Sequence, residues 1–157
     1  MRKPFVVFAM CLSLVLLSGV AAARTTFTAH GTADQEVQDV PVESRAQAQA
    51  TFKLSKDGQS LGYKLNVAQL EDVLFAHIHL APAGTNGPVV AFLAGPFTPP
   101  LDRANGRLAA GEITAADLLG PLAGHPLADL IAAMESGDTY INVHTVEYPN
   151  GEVRGQI

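Results

Sequence analysis

The 157-residue sequence has no tryptophan and a single cysteine, Cys11, which lies in an apolar N-terminal stretch. Beyond that stretch no thiol remains, which excludes a disulfide framework and any thiolate metal site. A metal must therefore be held by histidine and carboxylate, and a nucleophile must be a hydroxyl or a carboxylate. No cluster of lysine or arginine occurs, and 10 basic against 15 acidic residues give a formal net charge of −5. That balance lacks the electrostatic footprint of a nucleic-acid binder or of a protein that docks on anionic lipid. A glycine-rich phosphate loop, a Gly-x-Ser-x-Gly elbow, a His-Glu-x-x-His helix and a calcium-loop pattern are all absent. The common sequence routes to nucleotide binding, serine hydrolysis, zinc proteolysis and calcium binding are thereby closed. The only adjacent acids, Glu71-Asp72, precede a strand and read as a solvated turn, so no glycosidase-type carboxylate pair is fixed.

Long hydrophobic runs are also missing after the N-terminus. Arg2 and Lys3 precede an uncharged, mostly apolar run of 13 residues, Phe5 to Leu17, followed by small residues at Ala21 and Ala23. Charged start, apolar run and small-residue site follow in the order of a signal peptide. A membrane span needs about 20 apolar residues, which this run does not reach. Residues 1–23 are thus expected to be an export signal, leaving a secreted or periplasmic domain over 24–157 with no stable membrane anchor. Cleavage removes two basic residues and no acid, taking the net charge from −5 to −7. The remaining length suffices for one domain with an adequate core.

What is present is alternation. Ala46, Ala48, Ala50, Phe52 and Leu54 alternate with Gln47, Gln49, Thr51 and Lys53, and Leu61, Tyr63, Leu65 and Val67 repeat the pattern after Asp57-Gly58. A period of two on both sides of an Asp-Gly turn predicts an antiparallel hairpin. Further strands are expected near Thr25–Ala29, Val73–Leu80, Val89–Leu93, Arg107–Ile113, Thr139–Thr145 and Glu152–Ile157. Asp34–Glu43 reads as an irregular acidic loop, and Gly95–Gly106 as a proline-rich irregular segment. Two short helices are expected in one connection. The first starts at Thr114 with Asp117 three residues on and stops at Gly120-Pro121. The second carries Leu127, Leu130, Ile131 and Met134 on one face and stops at Gly137. The sum is an all-β domain: an antiparallel β-sandwich or flattened Greek-key barrel of about 7–8 strands with two short helices.

Strand parity sorts the histidines. His77 and His79 share one face, with Ile78 and Leu80 on the other. Tyr140, Asn142 and His144 share the face opposite Ile141 and Val143. If the two strands are neighbours, three imidazoles converge on one ion; neutral imidazole suits copper and zinc, and three protein ligands leave an open position. Because the imidazoles must be neutral to bind, the affinity of this site is expected to fall as the pH drops through about 6.5. A hairpin closed by Thr145–Gly151 pairs His144 with Glu152, Asn142 with Arg154 and Tyr140 with Gln156. Asn142 or Glu152 then orients a ligand by hydrogen bonding, and Arg154 attracts an anion or holds a carboxylate. His30 is either a fourth ligand or exposed, with exposure expected, and His125, before Pro126, is expected to be exposed.

Two long motifs carry a resemblance. They are His77-Ile78-His79-Leu80-Ala81-Pro82-Ala83-Gly84-Thr85-Asn86-Gly87-Pro88-Val89-Val90 and Tyr140-Ile141-Asn142-Val143-His144-Thr145-x-x-Tyr148-Pro149-Asn150-Gly151-Glu152-Val153-Arg154-Gly155-Gln156-Ile157. Together with Ile113–Gly137 and Gln35-Glu36-Val37, they make residues 25–157 resemble a CHRD domain, the module first described in chordin and found in many bacterial secreted proteins. The resemblance implies an extracellular domain and supplies no growth-factor surface. A second resemblance is to the β-sandwich of copper–zinc superoxide dismutase, which presents a strand His-x-His and a later strand histidine to copper. The zinc loop, bridging histidine and disulfide of that enzyme have no counterpart here.

Three readings follow. The first is a secreted domain binding copper, or less favourably zinc, through His77, His79 and His144. The second is a non-enzymatic extracellular binding module without metal, whose histidines organise a polar network. The third is a copper-dependent, dismutase-like oxidoreductase in which Arg154 steers an anion. No residue pattern requires an enzyme, and the partner is an unspecified protein or small molecule.

Overall fold

The computed structural model describes residues 24–157. The segment read as an export signal lies outside the described residues. Seven strands are found among them: β1 (Thr26–Thr32), β2 (Gln47–Leu54), β3 (Leu61–Leu80), β4 (Val89–Ala94), β5 (Leu101–Ile113), β6 (Thr139–Thr145) and β7 (Val153–Gln156). One helix, α1, spans Leu127–Ser136. No helix of the described residues is long and apolar enough to cross a membrane.

The predicted hairpin forms, with Gln47 opposite Ala68 and Leu54 opposite Leu61. Phe52, Leu61 and Leu65 are fully buried, and Leu54 packs at the edge of the same core. Following the pairings round, β1 joins β2, β2 joins β3, β3 joins β6, β6 joins β7, and β7 returns to β1. This closes a five-stranded barrel, with β4 and β5 added along the outer edge of β3. A barrel of so few strands has a narrow interior. The inward residues are accordingly small, Ala46 just before β2 and Ala48 and Ala50 within it, with Phe52 at the end of the series.

Of the two all-β architectures expected from the sequence, sandwich or flattened barrel, the structure is a closed barrel, and β3 is the reason. Residues 61–67 and 73–80 read as separate strands because alternation fails between them. In the structure one 20-residue strand runs through, bent at Gln69 (φ 59°) and Asp72 (φ 48°). Register slips against β5 and β6 lie at the same bend. Such bulges break the alternation while the strand goes on pairing. Its first part pairs with β2 and its last part with β6, so one strand serves both sides of the closure. The bend also gives β5 a partner at Leu70, Glu71 and Val73, which extends that strand back to Leu101, into the segment expected to be irregular.

Of the two expected helices only α1 is α-helical. Its stripe of Leu127, Leu130, Ile131 and Met134 is buried, and Gly137 ends it at φ 73°. The Thr114 segment makes a single 3-10 turn, Ala115–Asp117, although the Asp117 carboxylate does accept from the Thr114 N–H (2.8 Å) and hydroxyl (2.7 Å). Gly120-Pro121 arrives too soon for a nucleated helix to propagate.

Replacing Phe52, whose side chain is fully enclosed, with Ala leaves a cavity in this narrow core. We expect Phe52→Ala to lower folding stability by about 3–5 kcal/mol. A urea titration checks this, and a loss below about 1 kcal/mol would contradict the packing.

Candidate metal centre

The β3–β6 register places Phe75 opposite His144, His77 opposite Asn142, and His79 opposite Tyr140. All of these side chains rise from the face opposite Ile78, Ile141 and Val143, which belong to the core. His79 and His144 are four positions apart in register, about 13 Å along a strand. Their ring centroids are nevertheless 6.0 Å apart, and those of His77 lie 5.5 Å from His79 and 5.1 Å from His144. The rings thus lean together over His77, and one nitrogen from each falls within 4.8 Å of the others.

Two loops fix the tilt. The Nδ1 of His79 is 2.9 Å from the carbonyl oxygen of Gly87, and the Nδ1 of His144 is 3.0 Å from that of Pro149. A carbonyl only accepts, so Nδ1 carries the proton in both rings and Nε2 keeps its lone pair. Both Nε2 atoms, together with Nδ1 of His77, are buried with no hydrogen-bond partner. Gly87 suits its place because a Cβ there would lie 2.0 Å from the Leu80 carbonyl oxygen. The loop can therefore approach β3 closely enough to reach His79.

The surroundings are apolar on one side and polar on the other. Phe75 lies 4.8 Å from His77 and 4.6 Å from His144, and Phe92 meets His77 edge-on at 4.3 Å. On the polar side Tyr140 stacks on His79 (4.8 Å, 11° between planes), and the Arg154 guanidinium covers the other face of Tyr140 at 3.5 Å. Burial holds His77 down to about 3 and His144 to about 4, with repulsion from the neighbouring imidazoles adding to it; His79 is lowered too, again chiefly by burial. All three rings are therefore neutral at physiological pH, the form that ligates a metal.

The hairpin pairing holds at Tyr140–Gln156 and Asn142–Arg154 and ends at Val143–Val153. Gly151 has φ 126°, and there the chain departs from the simple register. Glu152 turns to the Thr145 hydroxyl (2.8 Å) and the Ser44 hydroxyl (2.6 Å). Arg154 is 1% exposed and donates to the carbonyls of Pro82 and Thr85 and to Asn86 Oδ1. Asn142 donates through Nδ2 to Glu36 at 3.2 and 3.3 Å. His30 is exposed on β1, and His125 is an exposed partner of Asp129 at 2.7 Å; neither belongs to the three-histidine group. A groove of about 740 Å³ reaches the site from the polar side, with His79, Tyr140 and Asn142 along one wall and Val37–Val40 along another.

The family model of the CHRD domain matches residues 27–157. The chain belongs to the CHRD family. No significant match was found among curated proteins or among solved structures. The CHRD match takes in both histidine-bearing strands and the two loops whose carbonyls hold them.

Sequence reasoning gave no role to Glu36, Phe75 or Phe92. Glu36 sits in an acidic segment with nothing to separate it from its neighbours, yet burial raises its carboxyl to about 7. Phe75 shares parity with His77 and His79, a signal that was there to read. Phe92 arrives through the β3–β4 pairing, in which it lies opposite His77.

The pKa shifts oppose one another. Below pH 6.5 the unfolded chain protonates its histidines, while folded His77 and His144 resist to about 3 and about 4, so this contribution to stability is lost as the pH falls. Folded Glu36 instead holds its proton up to about 7 against 4.5 when unfolded, so its contribution is lost as the pH rises. Between pH 4.5 and 6.5 the two slopes partly cancel. We expect Glu36→Gln to make stability rise more steeply with pH across that window, measured by urea midpoints with a chelator present. An unchanged slope would show that Glu36 titrates normally.

Proposed function

We propose that this CHRD domain is exported and binds one copper ion through His77, His79 and His144, serving in copper binding or handling outside the cytoplasm. The observation that carries the reading is the pair of Nδ1–carbonyl bonds at His79 and His144, which leave lone pairs on buried, unpartnered nitrogens turned toward His77. Carbonyl-oriented imidazoles are the usual outer support of metal-ligating histidine. No protein group pairs these nitrogens, which leaves them free to ligate. Nitrogen donors rank copper above zinc among divalent ions, which favours copper as the occupant. The open coordination position suits a water or small ligand, and the groove beside His79 gives it a route.

Copper titration of the purified domain tests the reading. We expect one equivalent to bind, and His79→Ala or His144→Ala to weaken it by more than the roughly 10–100-fold that loss of an outer partner costs. His125→Ala should leave affinity unchanged. Binding should persist at pH 5.5, not fall through about 6.5 as expected from the sequence, because burial keeps His77 and His144 neutral where exposed histidines are largely protonated. Equal affinity in all four proteins would remove the site.

Export rests on the order of charge, apolar run and small residues in 1–23, and the whole barrel lies downstream of that segment. Mass spectrometry of protein recovered from outside the cytoplasm should give an N-terminus near Arg24. Recovery with Met1 intact would overturn it.

A further inference from the structure

We propose that the three-histidine site is built for monovalent copper and binds Cu(I) in preference to Cu(II). This rests on the copper reading above and goes further by naming the oxidation state.

The donor set is the first ground. Among the described residues the group consists of three histidines, and no carboxylate joins it. Three neutral imidazoles leave the ion's charge uncompensated, so the site carries +1 with Cu(I) and +2 with Cu(II). The cost of burying a charge grows with its square, making the divalent ion about four times as expensive to desolvate.

The surroundings make that cost felt. His77 and His144 are only 6% and 7% exposed. Phe75 touches both of these rings, and Phe92 closes on His77 from the side. A hydrophobic shell of this kind lowers the local dielectric on the His77 and His144 side and keeps water to the groove beside His79.

A fixed positive charge stands on the remaining side. Arg154, Tyr140 and His79 form a three-layer stack. The hydrogen bonds of Arg154 go to neutral carbonyl and amide oxygens, not to a carboxylate. The buried acid on this face, Glu36, is hydrogen-bonded to Asn142 and is not in the ligand group. A second positive charge on the copper is opposed by this arrangement.

Coordination number points the same way. Cu(II) favours tetragonal surroundings with four or more ligands. Here three protein nitrogens converge, and the side chains packed against His77 and His144 are the phenyl rings of Phe75 and Phe92, which offer no further donor. Cu(I) is satisfied by three.

The test is a pair of titrations on the same preparation. Cu(I) is titrated anaerobically against bicinchoninate, and Cu(II) in air against nitrilotriacetate. We expect Cu(I) to bind at least about 100-fold more tightly, which raises the potential of the bound couple by about 120 mV over the aqueous one. Phe92 is 44% exposed, so Phe92→Asp is tolerated by the fold while placing a carboxylate and water beside His77. That variant, checked for its native circular dichroism, should lose at least tenfold of the preference. Cu(II) affinity equal to or above that for Cu(I) would overturn the proposal and leave the copper site standing. An unchanged preference in folded Phe92→Asp would overturn it as well, since the apolar flank would then not be its source. Failure of the wild-type domain to bind copper in either state would instead overturn the copper reading itself.

Discussion

The pairing of β3 with β6 is the interaction on which the rest of the molecule depends. It closes the barrel, because the same strand that meets β2 at its start meets β6 at its end. It also builds the site, because the register sets Phe75, His77 and His79 against His144, Asn142 and Tyr140. One-residue slippage of β3 would send His77 and His79 into the core and Ile78 out of it. The core side chains Ile78, Ile141 and Val143 thus guard the geometry of the imidazoles on the other face.

That face is unusual for the outside of a barrel in being covered. Every residue of β6 is buried, on both sides of the strand. Its inner side meets the core, and its outer side meets the histidines, Arg154 and the segment that carries Glu36. Burying three imidazoles and a guanidinium is costly unless their polar atoms are satisfied. The loops supply carbonyls to one nitrogen each of His79 and His144 and to the Arg154 fork. The inward nitrogens stay unsatisfied, and such a residual cost is what a bound ion would relieve.

Much of this was legible in the sequence, for reasons that can be named. The β2–β3 hairpin was readable because both strands keep a strict period of two on either side of Asp57-Gly58. Strand parity placed His77, His79 and His144 correctly on one surface, since parity survives uncertainty in register. The choice of a closed barrel over a sandwich was not legible. It depends on Gln69 and Asp72 adopting left-handed backbone, which their side chains do not announce. Nor could side-chain chemistry reveal the carbonyls of Gly87 and Pro149, because a backbone acceptor is common to every residue. Glu152 shows the limit of parity itself: after Gly151 the count along the strand no longer gives the direction of the side chain.

The central claim is that three particular nitrogens hold one ion, and a long-range proton–nitrogen spectrum of the histidine rings tests it most directly. Upon addition of one equivalent of Cu(I), which is diamagnetic, the account predicts shifts at Nε2 of His79 and His144 and at the His77 ring. Nδ1 of His79 and His144 should stay protonated, and His30 and His125 should not respond. Unchanged spectra of His77, His79 and His144, with His30 or His125 responding instead, would contradict it.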